Sequence, residues 1–277
     1  MPTIQHTNPA LKELVGIHLW HAPLSSCSQR VRLALAEKER DYGSHPIRLE
    51  LAENATAEYQ KIHPAGLVPA MVIDGELVIE SIDIIAEIDR KFSPGSLRPA
   101  GKKIEAAISE LLERADRAQP HLKLLTFEFL FSAAPPAEET TRRIAERHRN
   151  VALRQFYRDF VDGFSRERIT AAAQACHADL MVLERRLADG RDYLAGANFS
   201  LADIAWIPNV HRYDLIGWPL AKYPALKRWY DRMKQRQSYQ TAIAGCEPRE
   251  LIDVALPRIQ KRIEAGDGIA SYCDFEG

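Results

Sequence analysis

The sequence lacks the features that identify a metal centre, a disulfide framework or a membrane span. Its 277 residues include four cysteines without a Cys-X-X-Cys pair and nine histidines without an HExxH or HxxxH spacing. Scattered cysteines of this kind are typical of reduced thiols in a cytosolic protein. No run of about 18 apolar residues is present, so no membrane-spanning helix is predicted. We therefore expect no metal site and a cytoplasmic location.

Charge and targeting signals are equally scarce. The formal net charge is −1, which gives no general attraction to nucleic acid or to an anionic membrane surface. The N-terminal residues 1–6 contain neither the basic nor the apolar region of a secretory signal. Hydrophobic residues make up 46% of the chain, so a sizeable core is available, and the length suits one large domain or two smaller ones.

What the sequence does contain is a run of small polar residues at the start of a helix. Residues 25–28 read Ser-Ser-Cys-Ser, follow a short apolar strand at 17–20 and precede a helix predicted over 27–38. A helix start carries unpaired backbone N–H groups and the positive end of the helix dipole. Both stabilise an anion, including a thiolate. A serine-rich cap that merely starts the helix is the alternative interpretation.

The first ninety residues predict a small α/β unit with a mixed sheet, after a loose lead-in at 1–14. Apolar runs and helical spacing give the order β-α-β-α-β-β-α, with strands at 17–20, 45–49, 69–73 and 76–79 and helices at 27–38, 57–62 and 81–88. Between the last two strands, Asp74 and Gly75 form a strong two-residue hairpin signal.

Two places in this unit are suited to hold a peptide ligand. Pro69 opens a strand, and a cis bond before it would leave the backbone N–H and C=O of Val68 free to pair with an extended peptide. An ordinary edge proline is the alternative. At the next helix, Ser81 is a natural N-cap with backbone N–H groups for a carboxylate, and Glu80 suits an ammonium group. Here the alternative is a capped helix preceded by a solvated acid.

Three motifs occur in order along this unit: Ser-Ser-Cys-Ser-X-Arg-Val-Arg-X-Ala-Leu from residue 25, His-Pro-Ala-Gly-Leu-Val-Pro from residue 63, and Glu-Ser from residue 80. With them, residues 15–92 resemble the thioredoxin-like domain of the glutathione transferase superfamily, and the first motif is close to the zeta-class signature. The resemblance implies a thioredoxin-like α/β N-terminal domain, an all-α C-terminal domain and glutathione as the bound peptide.

The resemblance also implies how glutathione is held. Val68 and a cis Pro69 would pair with its cysteinyl backbone, and Ser81 and Glu80 would hold its γ-glutamyl end. Many relatives place a Lys or Gln before the second helix to reach the glycyl carboxylate, whereas residues 53–57 contain no lysine. Asn54, Thr56 or a more distant base is expected to make that contact.

A serine is the expected activating group. By resemblance, Ser25 stands at the position of the thiol-activating serine, and Ser26 is the next candidate. Its hydroxyl would donate a hydrogen bond to the glutathione thiolate and so lower the thiol pKa, which is otherwise about 8.5. By the same resemblance, Cys27 would adjoin the bound glutathione, and this thiol suggests mixed-disulfide chemistry as an alternative. The cysteine of omega-like relatives aligns with Ser25 rather than with Cys27, which favours the serine mechanism.

The rest of the chain predicts only helices. The boundaries are a Pro- and Gly-rich linker at 93–101, an all-helical substrate domain at 102–247 with an insertion near 132–166, and a tail at 248–277. The insertion is expected to contain one basic amphipathic helix at 138–162, which is either a solvated face or part of a pocket or dimer contact. Pro120 is expected to break a helix at 102–118 from the next at 121–131. Ser200 and Asp203 form a capping-box pattern, which is a folding signal.

The resemblance implies a glutathione transferase. In such an enzyme the thiolate of bound glutathione would attack an electrophilic carbon of a hydrophobic substrate, most naturally an aromatic one. Bacterial glutathione-dependent β-etherases contain a similar extra helix, so cleavage of β-aryl ethers is a candidate reaction. The alternatives are a non-catalytic binding or assembly module with the same fold and a zeta-like glutathione-dependent isomerase. Relatives usually form homodimers, and a homodimer is therefore expected here.

Overall fold

The structure is a computed structural model that describes residues 3–4, 8–93, 95–133 and 138–275. Parts of the predicted lead-in, linker and tail lie outside these residues, as do residues 134–137 of the loop predicted at the start of the insertion. The chain divides into two units. The first contains the described residues of Met1–Phe92 and Pro136–Gly163, and the second those of Ser93–Pro135 and Phe164–Gly277.

The regular elements of the described residues follow the predicted order closely. The strands are β1 (Thr3–Ile4), β2 (Ile17–His21), β3 (Gly43–Pro46), β4 (Ala70–Ile73) and β5 (Glu76–Ile79). The helices are α1 (Pro9–Lys12), α2 (Ser26–Glu37), α3 (Ala57–Gln60), α4 (Ser81–Lys91), α5 (Lys102–Arg117), α6 (Gln119–Thr126), α7 (Glu138–Arg147), α8 (Val151–Asp162), α9 (Arg166–Leu187), α10 (Leu201–Leu215), α11 (Pro224–Lys234), α12 (Gln237–Ala242) and α13 (Arg249–Glu264).

The described strands form one mixed sheet in the order β1-β5-β4-β2-β3. Strands β2 and β3 are parallel, and the other neighbours are antiparallel. The predicted mixed sheet is therefore confirmed, with one additional edge strand, β1, from the predicted lead-in. The hairpin prediction also holds, because Asp74 and Gly75 have φ angles of 49° and 80°, as a two-residue hairpin turn requires.

Helix α2 is the centre of the first unit. Its residues are buried on every side from Ser28 to Leu35, and it packs against α4. On the sheet, Trp20, Val72 and neighbouring apolar residues form a core cluster, and the partly buried side chain of Val68 packs against that cluster. The predicted ligand-binding loop is thus attached to the core through a side chain, which leaves its backbone for other contacts.

The second unit contains only helices among its described residues, as predicted. The capping box is confirmed at the start of α10, where the Asp203 carboxylate accepts hydrogen bonds from the Ser200 N–H and hydroxyl, each at 3.0 Å. The predicted helix break near Pro120 is confirmed to within two residues, because α5 ends at Arg117 and α6 begins at Gln119. Pro120 itself lies in the first turn of α6, where the missing N–H costs no helical hydrogen bond.

The predicted insertion differs from the structure in two ways. The single helix expected at 138–162 is two helices, α7 and α8, because Asn150 caps a new helix by accepting a hydrogen bond from the Leu153 N–H at 3.0 Å. The pair also lies with the first unit rather than with the helical domain that surrounds it in sequence. Thr140 on α7 donates a hydrogen bond to the backbone carbonyl of Glu50.

None of the described helices combines the length and apolarity that a membrane crossing requires.

Candidate active site

Ser25 lies at the junction between β2 and α2, where it is the N-cap of the helix. Its side-chain oxygen accepts a hydrogen bond from the Ser28 N–H at 3.2 Å. The hydroxyl makes no other hydrogen bond within the described residues. Because the oxygen is the acceptor in this cap, the hydroxyl proton is available to a ligand at the helix N-terminus. The side chain of Ser25 is half-buried.

A buried arginine fixes the backbone that leads to Ser25. Arg32 is 1% exposed and donates hydrogen bonds to the carbonyls of Ala22 at 3.1 Å and Pro23 at 2.8 Å. It also contacts Nδ1 of His21 at 3.2 Å. Burial, and then the charge of Arg32, lowers the pKa of His21 to about 4, so this imidazole is neutral near pH 7. The loop before Ser25 is therefore stabilised by hydrogen bonds from the buried Arg32 side chain.

The second predicted motif places an unpaired segment of backbone at the start of β4. The peptide bond between Val68 and Pro69 is cis, which is the isomer that the resemblance implied. In the part of the chain that the structure describes, neither the N–H nor the C=O of Val68 has a hydrogen-bond partner. Both groups are thus available to an extended peptide, as an additional strand would need.

The two backbone carbonyls just before Val68 accept hydrogen bonds from side chains of the protein. The Tyr59 hydroxyl donates to the carbonyl of Leu67 at 2.5 Å, and the side-chain amide of Asn54 donates to that of Gly66 at 3.0 Å. Asn54 is 4% exposed, so its amide serves this loop. Its position speaks against the expected contact with a glycyl carboxylate, because the side chain is not presented to a ligand.

The third motif lies at the start of α4. Glu80 has a φ of 63°, an uncommon angle for a residue other than glycine, and such residues often mark functional sites. The N-cap is Glu80 rather than Ser81, which is the first helical residue. The N–H groups of Ser81 and Ile82 have no partner within the described residues. They form an N-terminal pair that suits a carboxylate.

A second buried arginine connects this helix to α2. Arg30 is 0% exposed, and its guanidinium donates a hydrogen bond to Oγ of Ser81 at 3.1 Å. Since that oxygen is the acceptor, the Ser81 hydroxyl proton is directed elsewhere. The positive charge of Arg30 adds to the dipole of α4, and both favour an anion beside Ser81.

The sheet register brings the three motifs to one end of the sheet. Trp20 near the end of β2 pairs with Ala70 at the start of β4, and Ala70 pairs with Ile79 at the end of β5. Ser25 follows β2, Val68 precedes β4 and Ser81 follows β5, so these residues lie at the same edge. Two other predicted residues, Ser26 and Cys27, lie in the first turn of α2 and are half-buried.

Sequence reasoning did not identify the residues that support this edge. Arg30 and Arg32 were part of a motif without a role, and Tyr59 was unassigned. Two arginines inside an otherwise apolar helix are a usable signal, because a fully buried guanidinium needs several acceptors. No group of three or more potential metal ligands is present in the described part of the chain.

Comparisons with known proteins identify the family to which the two units are similar. Residues 24–91 match the model of the glutathione S-transferase N-terminal domain, and residues 166–232 match that of the C-terminal domain. The chain is 26% identical over 243 residues to the tetrachloro-p-hydroquinone reductive dehalogenase of Sphingobium chlorophenolicum, covering 82% of this chain and 95% of that protein. It is 27% identical over 227 residues to glutathione S-transferase Z2 of Arabidopsis thaliana, covering 81% and 89%.

Solved structures show the same fold. The β-etherase LigF from Sphingobium sp. strain SYK-6 superposes with a TM-score of 0.74 at 22% identity, covering 82% of this chain and 98% of that one. The N-terminal domain model covers all three motifs at the sheet edge, and the C-terminal model covers α9, α10 and most of α11. The chain therefore belongs to the glutathione transferase superfamily, whose members use glutathione in catalysis.

Proposed function

We propose that this glutathione-dependent enzyme is a transferase in which Ser25 stabilises the glutathione thiolate for attack on an aromatic electrophile. One observation carries the proposal. The Ser25 oxygen accepts the hydrogen bond from the Ser28 N–H that caps α2. The Ser25 hydroxyl can therefore donate its proton to a ligand at the positive end of this buried helix. A hydrogen bond to the charged form of a thiol lowers its pKa, so no separate general base is required.

The residues at the sheet edge fit glutathione as a ligand. The unpaired N–H and C=O of Val68 match the donor and acceptor of a peptide backbone. At α4, the N–H groups of Ser81 and Ile82, with Arg30 behind them, suit the α-carboxylate of a γ-glutamyl group. Glu80 would face the neighbouring ammonium group. The carboxylate and the ammonium group of the γ-glutamyl end would thus each meet a group of the opposite charge.

When bound, glutathione supplies the nucleophilic sulfur. Ser25 would hold a hydrogen bond to that sulfur throughout the attack, and Val68 would fix the cysteinyl backbone so that the sulfur stays at the start of α2. Fixing both reactants in one place contributes to rate through proximity. Cys27, in the same helical turn, is a second thiol near this position and is the residue to test if a mixed disulfide forms.

The proposed electrophile is an aromatic compound with a displaceable substituent. The name of the dehalogenase relative, a protein acting on a chlorinated hydroquinone, supports haloaromatic substrates. Cleavage of β-aryl ethers is the second substrate class, as expected from the extra helical segment. We further propose that the protein is cytoplasmic and forms a homodimer. Sedimentation equilibrium would test the homodimer directly.

The experiment combines binding with turnover. The purified protein is applied to immobilised glutathione and eluted with free glutathione, and it is then assayed with a chlorinated aromatic and with a β-aryl ether. Retention together with release of chloride or of a phenol supports the transferase and identifies the substrate class. Binding without turnover of either substrate would contradict the proposed reaction, and absence of binding would contradict the proposed site.

A further inference from the structure

The break between α7 and α8 places a histidine directly behind the glutathione-binding loop. His148 is 0% exposed. Its Nε2 lies 3.2 Å from the backbone carbonyl of Gly66, and its Nδ1 accepts a hydrogen bond from the Asn150 N–H at 3.1 Å. Gly66 is two residues before Val68, so a residue of the inserted helical pair contacts the loop that would bind the peptide.

The hydrogen bonds determine which ring nitrogen carries the proton. Because Nδ1 accepts from a backbone N–H, Nε2 is the protonated nitrogen of the neutral ring. It therefore donates to the carbonyl of Gly66. The side-chain amide nitrogen of Asn54 is 3.4 Å from Nε2, but both are donors and cannot bond to each other. Both instead donate to the same carbonyl of Gly66.

Gly66 leaves space for the His148 ring because it has no side chain. Its φ is +59°, and a Cβ built on it would lie 2.5 Å from Nε2 of His148 and 2.7 Å from the backbone oxygen of Asn54. A side chain at this position would displace the histidine, and the backbone angle itself favours glycine. The close approach of the two residues is therefore possible only with glycine in the loop.

We propose that His148 is a positioning residue for glutathione, through its hydrogen bond to the loop that presents Val68. The inference rests on the proposed function, since it concerns the same site. The carbonyl of Gly66 accepts from His148 and Asn54, and the carbonyl of Leu67 accepts from Tyr59. The next residue, Val68, is thereby held with its N–H and C=O available, so less ordering remains to be done when the peptide binds.

The helical pair is attached to the first unit by contacts other than His148. Thr140 donates to the carbonyl of Glu50, Arg143 donates to that of Leu51 at 3.4 Å, and Ile144 is fully buried. The pair is thus expected to stay docked when His148 is changed. This allows the effect on the loop to be measured separately from loss of the helices.

Two substitutions separate the two hydrogen bonds of His148. In His148→Asn, the side-chain oxygen can accept from Asn150 as Nδ1 does, but no donor reaches Gly66. In His148→Gln, the amide nitrogen occupies the place of Nε2 and can donate to Gly66. Loss of one neutral hydrogen bond predicts a rise of about fivefold in the Kd and KM for glutathione in His148→Asn, with kcat unchanged. His148→Gln is expected to stay near the wild-type value.

Thr140→Val is the matched control, because it removes a hydrogen bond of the same helical pair to a carbonyl outside the loop. It is expected to lower the melting temperature without changing the Kd for glutathione. Equal affinities for wild type and His148→Asn would overturn the inference, and so would an equal loss in His148→Gln or in Thr140→Val. If the wild-type protein does not bind glutathione at all, the proposed function fails instead.

Hydrogen exchange on the wild-type protein gives a test that does not depend on a folded variant. Glutathione is expected to slow amide exchange in residues 63–68 and, through His148, in residues 148–150 as well. Slower exchange in both segments supports the inference. Slower exchange in residues 63–68 alone would overturn it, because the histidine would then be uncoupled from the bound peptide.

Discussion

Replacing Ser25 with alanine is expected to raise the thiol pKa of bound glutathione. The substitution removes the Ser25 hydroxyl, whose proton is not used in the cap hydrogen bond of α2. A hydrogen bond to a charged group contributes about 1.5–3 kcal/mol, and one pKa unit corresponds to about 1.4 kcal/mol. The thiol pKa should therefore rise by about one to two units, and turnover below that pKa should fall about 10- to 100-fold.

The same substitution also weakens the helix. Ser25 accepts the cap hydrogen bond from Ser28, and loss of such a cap costs about 1 kcal/mol of stability. This second effect changes the free energy of unfolding but not the charge on the sulfur. The affinity for glutathione should change much less than turnover, because the backbone contacts proposed for Val68 do not involve the serine.

Titration of the thiolate absorbance in the enzyme–glutathione complex measures the pKa directly, and the pH dependence of kcat gives an independent value. Ser26→Ala is the matched control, since it removes the same group one residue along the chain. An unchanged thiol pKa and unchanged turnover in Ser25→Ala would refute the assignment of Ser25. A rise confined to Ser26→Ala would assign the role to Ser26.

Two further predictions concern stability. Asp203→Ala leaves the N–H of Ser200 and the indole N–H of Trp229 buried without their acceptor, so chemical denaturation should show a loss on the order of 4 kcal/mol; a loss below about 1 kcal/mol would contradict the folding role. Burial lowers the pKa of His21 and of His63 to about 4. Between the unfolded-state pKa and pH 4 the unfolded chain binds more protons, so stability should fall as pH decreases, by about 1.4 kcal/mol per pH unit for each histidine. A flat profile from pH 7 to 4 would contradict their burial as neutral rings.

Most of the fold was predictable because its signals are local. The Asp74-Gly75 turn, the start of α4 at Ser81 and the capping box at Ser200 each depend on residues within four positions of one another. The errors arose where the local signal is short or is masked by the surrounding pattern. Strand β1 has two residues, too few for a periodic pattern. The helix break at Asn150 depends on a cap within a stretch that otherwise reads as one amphipathic helix.

In the candidate site, too, residues with a local sequence signal were predicted and residues with long-range contacts were not. The sequence predicted Val68, Pro69 and Ser81 because each follows from backbone chemistry at a strand or helix end. The residues that hold these segments were not predictable in the same way. Arg30 reaches Ser81 across 51 positions of sequence, and an arginine in a helix is read as exposed unless its partners are known. Asn54 looked suited to a ligand by its type, whereas its burial commits its amide to Gly66.

The helical pair α7 and α8 shows why chain order is a poor guide to spatial grouping. It lies in sequence between helices of the second unit, yet its described contacts through Thr140 and His148 are with the first. If the pair raises the affinity for glutathione through Gly66, binding must in turn stabilise the pair by the same factor, because coupling between two sites is reciprocal. The segment is then better regarded as a support of the glutathione site than as an addition to the substrate domain. Changes in this segment should then alter the affinity for glutathione, whereas other residues should determine which electrophile reacts.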